Sequence, residues 1–559
     1  MRTLFLALII LVASWAFFNP EFFYLHDYLH AARIAEMARG LQEGQLPVVW
    51  SGNFGFGYGM PLFLFYAPLP YAVGAGLFMA GLPVVTTVQL LFVFSSIVCA
   101  VAGYFLIKEL WGSEAGLVGA ALLTLAPYRA VNLFVRGALS ESWGLAAGVV
   151  TLLGVLYIVR RKKIGVVLTW LGTSVLFLSH NLSALIFIPF VLLFAVAFFL
   201  MEHPAHLKDW KRMAWVCISL GLGVLSALFY SLPAVLEKDT THIQSILSGY
   251  FDYRLHFVYI RQFFTANWGY GGSAWGTEDG ISYFLGWPQL VLLLGAGAFC
   301  VKLLSQHTKQ TKKHVQILQI VTVAGVLLLL AIFLTTGHSL FVWEQLSVLS
   351  VIQFPWRFLN VALIFCAIVA AAAVLWIPAH IRTKVTYVLV VIICALQWQM
   401  FKPERFGGVI EHYYYTDSGR IRAEASFVLP DFIPSTFTAL LKPAGALVSC
   451  QPSSECTQVE VKSQKAHQLQ LSGAVTQPTQ ITLALADFEG WTVFADGLQI
   501  EKKQSEQGLV GFTAIPGKKA YTIVFQPTPL RKITWVISLL SMASTAALIF
   551  WVYKKRVEL

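Results

Sequence analysis

The stretch PLFLFYAPLPYAVGAGLFMAGL, residues 61–82, decides how this chain is threaded. It is long and apolar enough to cross a bilayer, for which about 20 such residues suffice. Yet Pro61, Pro68 and Pro70 interrupt its first half, and proline removes helix hydrogen bonds that lipid cannot replace. Twelve other apolar runs lie near residues 3–19, 85–107, 115–130, 142–159, 164–179, 182–200, 213–231, 284–303, 315–335, 358–378, 383–400 and 533–553. Basic clusters at 160–163, 208–212, 302–313, 382–384 and 554–556 are each separated from the next by two of these runs. They therefore share one side, and an excess of Lys and Arg makes that side cytoplasmic. With Arg2 holding the N-terminus inside, parity closes only if 61–82 stays on the external surface. The expectation is twelve crossings, with the first run retained rather than cleaved as a signal peptide.

Composition agrees. The 559 residues are 57% hydrophobic and 12% charged, with a mean hydropathy of +0.70. Soluble chains carry roughly 25% charged residues, so a soluble enzyme, a disordered chain and a collagen-like one are excluded. The net charge of +11 sits between apolar runs, where it orients a membrane protein rather than binding nucleic acid. The expected fold class is a polytopic α-helical membrane protein with a C-terminal external β domain. Residues 1–400 would form the transmembrane domain, with external loops at 20–84 and 232–283. Residues 401–531 would form the β domain, and 532–559 a last helix with a basic cytoplasmic tail. Segments 467–475, 479–486, 492–500, 508–515 and 520–526 alternate or run apolar over strand lengths. Asp496-Gly497 is a hairpin signal. A sandwich or jelly roll is expected, and in an oxidising compartment Cys450 and Cys456 are disulfide candidates.

Ionisable groups near membrane depth cost roughly 2.5–3.5 kcal/mol, so those that persist are candidates for function. Here they gather on the external face: Asp27 after the first run, Arg136 and Glu141 around a turn, His180-Asn181 between two runs, Glu278 and Asp279 ending the long loop, and Arg357 opening a run. Each has an ordinary alternative. A carboxylate can cap a helix or complement its dipole, and an arginine can snorkel to lipid phosphate. His26 and His30, at i,i+4 spacing, lack a clear third partner for a metal. The run Gly52–Pro61 is glycine-rich but lacks the Lys-Ser/Thr of a phosphate loop. Its Tyr58, with Trp268, Tyr270 and Trp275, suits either stacking on sugar rings or an interfacial belt.

These residues carry a resemblance. An external loop with an early Asp, a non-crossing apolar segment and a crossing that ends in Lys108-Glu-Leu-Trp-Gly112 resemble the GT-C glycosyltransferases. Asn53–Phe63, Leu125–Glu141, Leu178–Asn181, Gln353–Arg357 and Phe488–Trp491 are similar to bacterial membrane proteins called 6-pyruvoyl-tetrahydropterin-synthase-related, near the YfhO-like group. The resemblance spans most of the chain. It implies transfer of a sugar from a polyprenyl-phosphate donor to a glycan, lipid or protein acceptor, outside the bacterial inner membrane and among membrane lipids. Asp27 matches the family's first-loop acid, a catalytic base, with Glu141 a second acid orienting the acceptor. Arg136 and Arg357 would hold the leaving phosphate, and His180 either substrate. A divalent metal is compatible with the family, although His26 precedes a lone Asp27 where many members pair two acids. A lipid-linked glycan flippase and a non-catalytic envelope-assembly protein are the other readings.

Overall fold

The computed structural model describes the chain apart from residues 22, 203–209, 306–310, 408–415, 429, 439–440 and 555–559. Lys208, Lys309 and the basic tail beyond Lys554 therefore lie outside the described residues. Among the described residues, eight helices are long and apolar enough to cross a membrane: Val84–Trp111, Leu139–Val159, Asn181–Glu202, Trp287–Ser305, Lys312–Thr335, Pro355–Trp376, Ala379–Met400 and Pro529–Val552. Two bent pairs bring the number to as many as ten: Ser113–Thr124 with Pro127–Val135, at 48°, and Trp210–Ser226 with Leu228–Leu236, at 70°. The other two expected crossings are shorter apolar helices, Arg2–Phe18 and Ile164–Ser179. Every expected run is thus helical, but the count by length and composition is eight to ten, not twelve. Residues 61–82 break into Leu62–Phe65 and Leu69–Met79, with Pro68 before the second helix and Pro70 in its first turn, where proline is tolerated.

Small residues set the packing. Helices Leu139–Val159 and Ile164–Ser179 approach so closely that a Cβ on Gly154 would lie 2.4 Å from the Thr169 amide nitrogen, and one on Gly172 would lie 2.5 Å from Thr151 Oγ1. Lipid supplies no hydrophobic drive between helices, so such close backbone contact is what holds them together. Leu139–Val159 and Pro355–Trp376 form the centre, each with 89% of its apolar window buried.

After residue 447 the pattern switches from helix to strand. Nine strands run β1 (Val448–Gln451), β2 (Val459–Lys465), β3 (Gln468–Val475), β4 (Thr479–Ala486), β5 (Trp491–Ala495), β6 (Leu498–Ile500), β7 (Lys503–Gln504), β8 (Leu509–Ala514) and β9 (Gly517–Phe525). They make two antiparallel sheets, β1-β4-β8-β7 and β2-β3-β9-β5-β6. The alternation in β3 puts Leu469 and Leu471 inside, and Phe512 of one sheet meets Tyr521 of the other with ring centroids 4.9 Å apart. The expected strand 492–500 folds back on itself as β5 and β6. Asp496 and Gly497, at φ of +46° and +83°, make the turn between them, as a two-residue hairpin requires. A disulfide joins Cys450 to Cys456.

The β region rests on the first loop, which follows the first helix. Trp50, fully buried, packs on Trp491 at 5.3 Å and Phe525 at 5.2 Å. Ala486 N donates to the Tyr58 carbonyl at 2.8 Å, and Ala444 N to the Phe56 carbonyl at 2.9 Å. The buried ion pair Arg531–Glu237, at 2.6 Å, ties the last helix to the long loop.

Candidate active site

Two polar clusters lie at one end of the helices, and one short segment joins them. Residues 131–135 are wound as a π-helical turn that closes with Arg136 N donating to the Val131 carbonyl at 2.9 Å; such widened turns are frequent at functional sites. The first loop lies against the end of this turn. His26 N donates to the Val135 carbonyl at 3.1 Å and Asp27 N to the Arg136 carbonyl at 3.0 Å. Gly137 makes the approach possible. Its φ is +63°, and a Cβ there would come within 2.7 Å of Leu25 Cβ and 3.1 Å of the Asp27 carbonyl oxygen.

Asp27 is the centre of the first cluster. Arg33 Nη1 donates to both of its oxygens at 2.9 Å, and the Tyr66 hydroxyl donates to Oδ2 at 3.2 Å. The guanidinium lies 4.2 Å over the Tyr66 ring, a cation–π contact. His30 Nε2 donates to the Gly137 carbonyl at 2.6 Å. Its Nδ1 then accepts from the Tyr71 hydroxyl at 3.0 Å, which fixes the neutral tautomer. Burial pushes the Asp27 carboxyl up, but the charge of Arg33, that of His30 once acid has protonated it, and the Arg33 and Tyr66 hydrogen bonds outweigh it and hold it at about 2. Burial keeps the His30 imidazole below its ordinary value. The side chain of Asp27 remains 29% exposed, that of Arg33 only 2%. The carboxylate is thus charged, oriented and reachable.

Glu141, 2% exposed, is the centre of the second. Arg136 Nη2 lies 2.9 Å from Oε2 and Arg357 Nε 3.5 Å from the same atom. Asn360 Nδ2 donates to Oε1 at 2.6 Å and the Tyr128 hydroxyl at 3.3 Å. Asn132 accepts from Arg136 at 2.5 Å and donates to Asn360 at 3.1 Å. Arg136 also lies 4.4 Å over the Trp356 ring, and Arg357 donates to the Ile352 carbonyl at 2.6 Å. Two guanidiniums face one carboxylate, leaving an excess positive charge in a nearly dry site. His180 stands within charge range of Glu141 and is braced by Ser183 Oγ at 2.7 Å from its Nδ1.

The remaining sequence candidates lie elsewhere. Asn181 accepts from the Tyr230 hydroxyl at 2.7 Å, pinning two helices. Tyr58 packs on Phe437 at 5.0 Å, under the β region. Asp279 braces the long loop, accepting from Gln262 at 2.7 Å, Ala274 N at 2.9 Å and Tyr283 at 3.1 Å. Glu278, with a 90% exposed side chain, faces Arg261 at 3.6 Å. His26 turns to the Tyr270 carbonyl at 3.0 Å, away from the bonds His30 makes, so the pair shares no metal. Among the described residues no three His, Cys, Asp or Glu side chains converge on a metal position. Asp27 and Glu141 are already committed to arginines, so the acids here do not fit a divalent cation. Sequence reasoning passed over Arg33, Tyr66, Tyr71, Asn132 and Asn360, which complete the two clusters. The spacing of Asp27 and Arg33 around a helix start was the one available signal, and it reads equally as surface charge.

No family model and no curated protein matches the chain. Two solved transferases resemble it remotely. One is the arabinofuranosyltransferase AftD from Mycobacteria, 14% identical over 74% of this chain with a TM-score of 0.47. The other is the oligosaccharyltransferase of Archaeoglobus fulgidus, 10% identical over 74% of this chain with a TM-score of 0.42. This chain spans 29% of the first protein and 57% of the second. Likenesses of this size decide neither the fold nor the chemistry of the chain, and the site must be read from its own residues.

Proposed function

We propose that the chain is a GT-C-type membrane glycosyltransferase that moves a sugar from a polyprenyl-phosphate donor to an acceptor on the extracytoplasmic face of a bacterial inner membrane. The observation that carries this reading is the bond from Asp27 N to the Arg136 carbonyl, which joins a charged, exposed carboxylate to a cluster with one cation in excess. A phosphate needs charged donors of that kind. Arg136 and Arg357 neutralise the lipid phosphate as its bond to C1 breaks. Asp27 accepts the acceptor hydroxyl proton as the new C1–O bond forms, with inversion. Glu141 keeps the two guanidiniums apart and aligned, and His180 lines the acceptor side. Residues 61–82 do not cross in this reading, and residues 401–531 stand outside as a β domain.

The test is transfer from a polyprenyl-phosphate sugar in isolated membranes, comparing the wild type with Asp27→Asn at matched expression. Loss of about 100-fold or more is expected for a missing base. Unchanged transfer rejects Asp27 as the base, and no transfer by the wild type from a panel of such donors rejects the enzyme.

A further inference from the structure

The sequence stretch Pro127-Tyr128-Arg129 contributes Tyr128 to the Glu141 cluster, but Arg129 takes no part in it. Its side chain is among the largest that are fully buried, at 0% exposure. Four other buried arginines have a carboxylate: Arg33 has Asp27, Arg136 and Arg357 share Glu141, and Arg531 has Glu237; Arg212, 2% exposed, donates to the Val159 carbonyl at 3.3 Å. Among the described residues no carboxylate pairs with Arg129. Its Nη2 donates to Ser96 Oγ at 3.0 Å, while Nε and Nη1, both buried, have no hydrogen-bond partner. A guanidinium cannot shed its proton in a protein, and an unpaired buried charge is among the least tolerable groups in a folded chain.

The neighbours of Arg129 suit an anion. Thr124 Oγ1 is buried beside the Cys99 sulfur, and its hydroxyl can turn to donate. The Cys99 thiol, at 0% exposure, adjoins both Arg129 and Thr124 and is a weak donor. Ser96 Oγ, which accepts from Arg129 Nη2, donates in turn to the Phe92 carbonyl at 3.2 Å. We propose that Arg129, with Thr124 and Cys99, binds one small monovalent anion of chloride size inside the helix bundle. One cation with a few neutral donors balances one negative charge. A phosphate, with more charge and more acceptor oxygens, would demand further donors. The site is separate from the one proposed for the donor phosphate, since Arg129 bonds to none of the groups around Glu141.

Chloride is the probe. In purified full-length protein, replacing gluconate by chloride at constant ionic strength should raise the thermal midpoint by about 2 °C or more, as mass action requires for a ligand bound by the folded state alone. Bromide should give an anomalous peak within hydrogen-bond distance of Arg129 Nε or Nη1. Arg129→Met should abolish the chloride dependence, and the milder Thr124→Val should weaken it, so that a misfolded Arg129 variant leaves the question decidable. A midpoint indifferent to chloride, a bromide peak elsewhere only, or a chloride dependence unchanged in Thr124→Val and in folded Arg129→Met overturns the proposal.

Discussion

At the scale of single residues, the decisive partner of Asp27 is Arg33. Because the folded carboxyl is held at about 2, below its ordinary value near 3.9, the pair adds stability above that ordinary value. The contribution is lost as pH falls through about 2. Asp27 therefore should impose no acid limb on transfer between about pH 4 and 8. Replacing Arg33 by Gln leaves burial to act with less opposition. A pH–rate profile of Arg33→Gln should then show an acid limb at or above the ordinary carboxylate range, with residual activity recovering as pH rises. Glu141→Gln removes the carboxylate that, among the described residues, faces both Arg136 and Arg357, and stranding a buried charge costs about 3–5 kcal/mol. Chemical denaturation of the purified variant should show a loss of that order. A change below about 1 kcal/mol would mean that the two guanidiniums are balanced some other way.

At the scale of elements, the site depends on a loop laid against a turn. Gly137 sits at positive φ with no room for a side chain, so Gly137→Ala must strain the backbone by about 1–3 kcal/mol or push residues 25–27 away. Transfer should fall by far more than the thermal midpoint does. Equal retention of both would show that the Asp27–Arg136 contact is dispensable. Element types were legible in the sequence wherever one period persisted. The apolar runs became helices, and Asp496-Gly497 fixed the place of the β5–β6 turn. Lengths were less legible, because residues 115–135 and 213–236 bend at internal breaks and residues 164–179 form a helix of only 16 residues. Apolarity measures burial, in lipid or in protein alike, so it could not say how straight a buried segment would be.

At the scale of the whole molecule, the first loop and the β region act as one body. Trp50→Ala empties a fully buried aromatic position between them, a change that ordinarily costs about 3–5 kcal/mol. Limited proteolysis should then cut between Met400 and β1 at rates well above wild type; equal rates would mean the two parts stay joined without Trp50. Sidedness is open to labelling in a background lacking the five free cysteines. A cysteine placed at Leu498, 75% exposed, should react with an impermeant maleimide in intact cells, and one at Thr311 only after permeabilisation. The reverse pattern would invert the topology inferred from the basic clusters.

Hydropathy and charge placement are properties of composition along the chain, so the sequence by itself determined a membrane protein, the positions of its helices and a β region within residues 401–531, whose first strands, from residue 448, only the structure showed. The sequence also picked out Asp27, Arg136, Glu141 and Arg357 as out of place. Only the tertiary structure decided which of these meet. Asp27 and Arg136 lie more than a hundred positions apart, and Glu141 and Arg357 more than two hundred, so no local period links them. Their partners Arg33, Tyr66, Asn132 and Asn360 are unremarkable residues until packing removes water from around them. The same packing leaves Arg129 without a carboxylate among the described residues, its Nε and Nη1 unbonded, and an uncompensated charge becomes visible only when everything around it is in place.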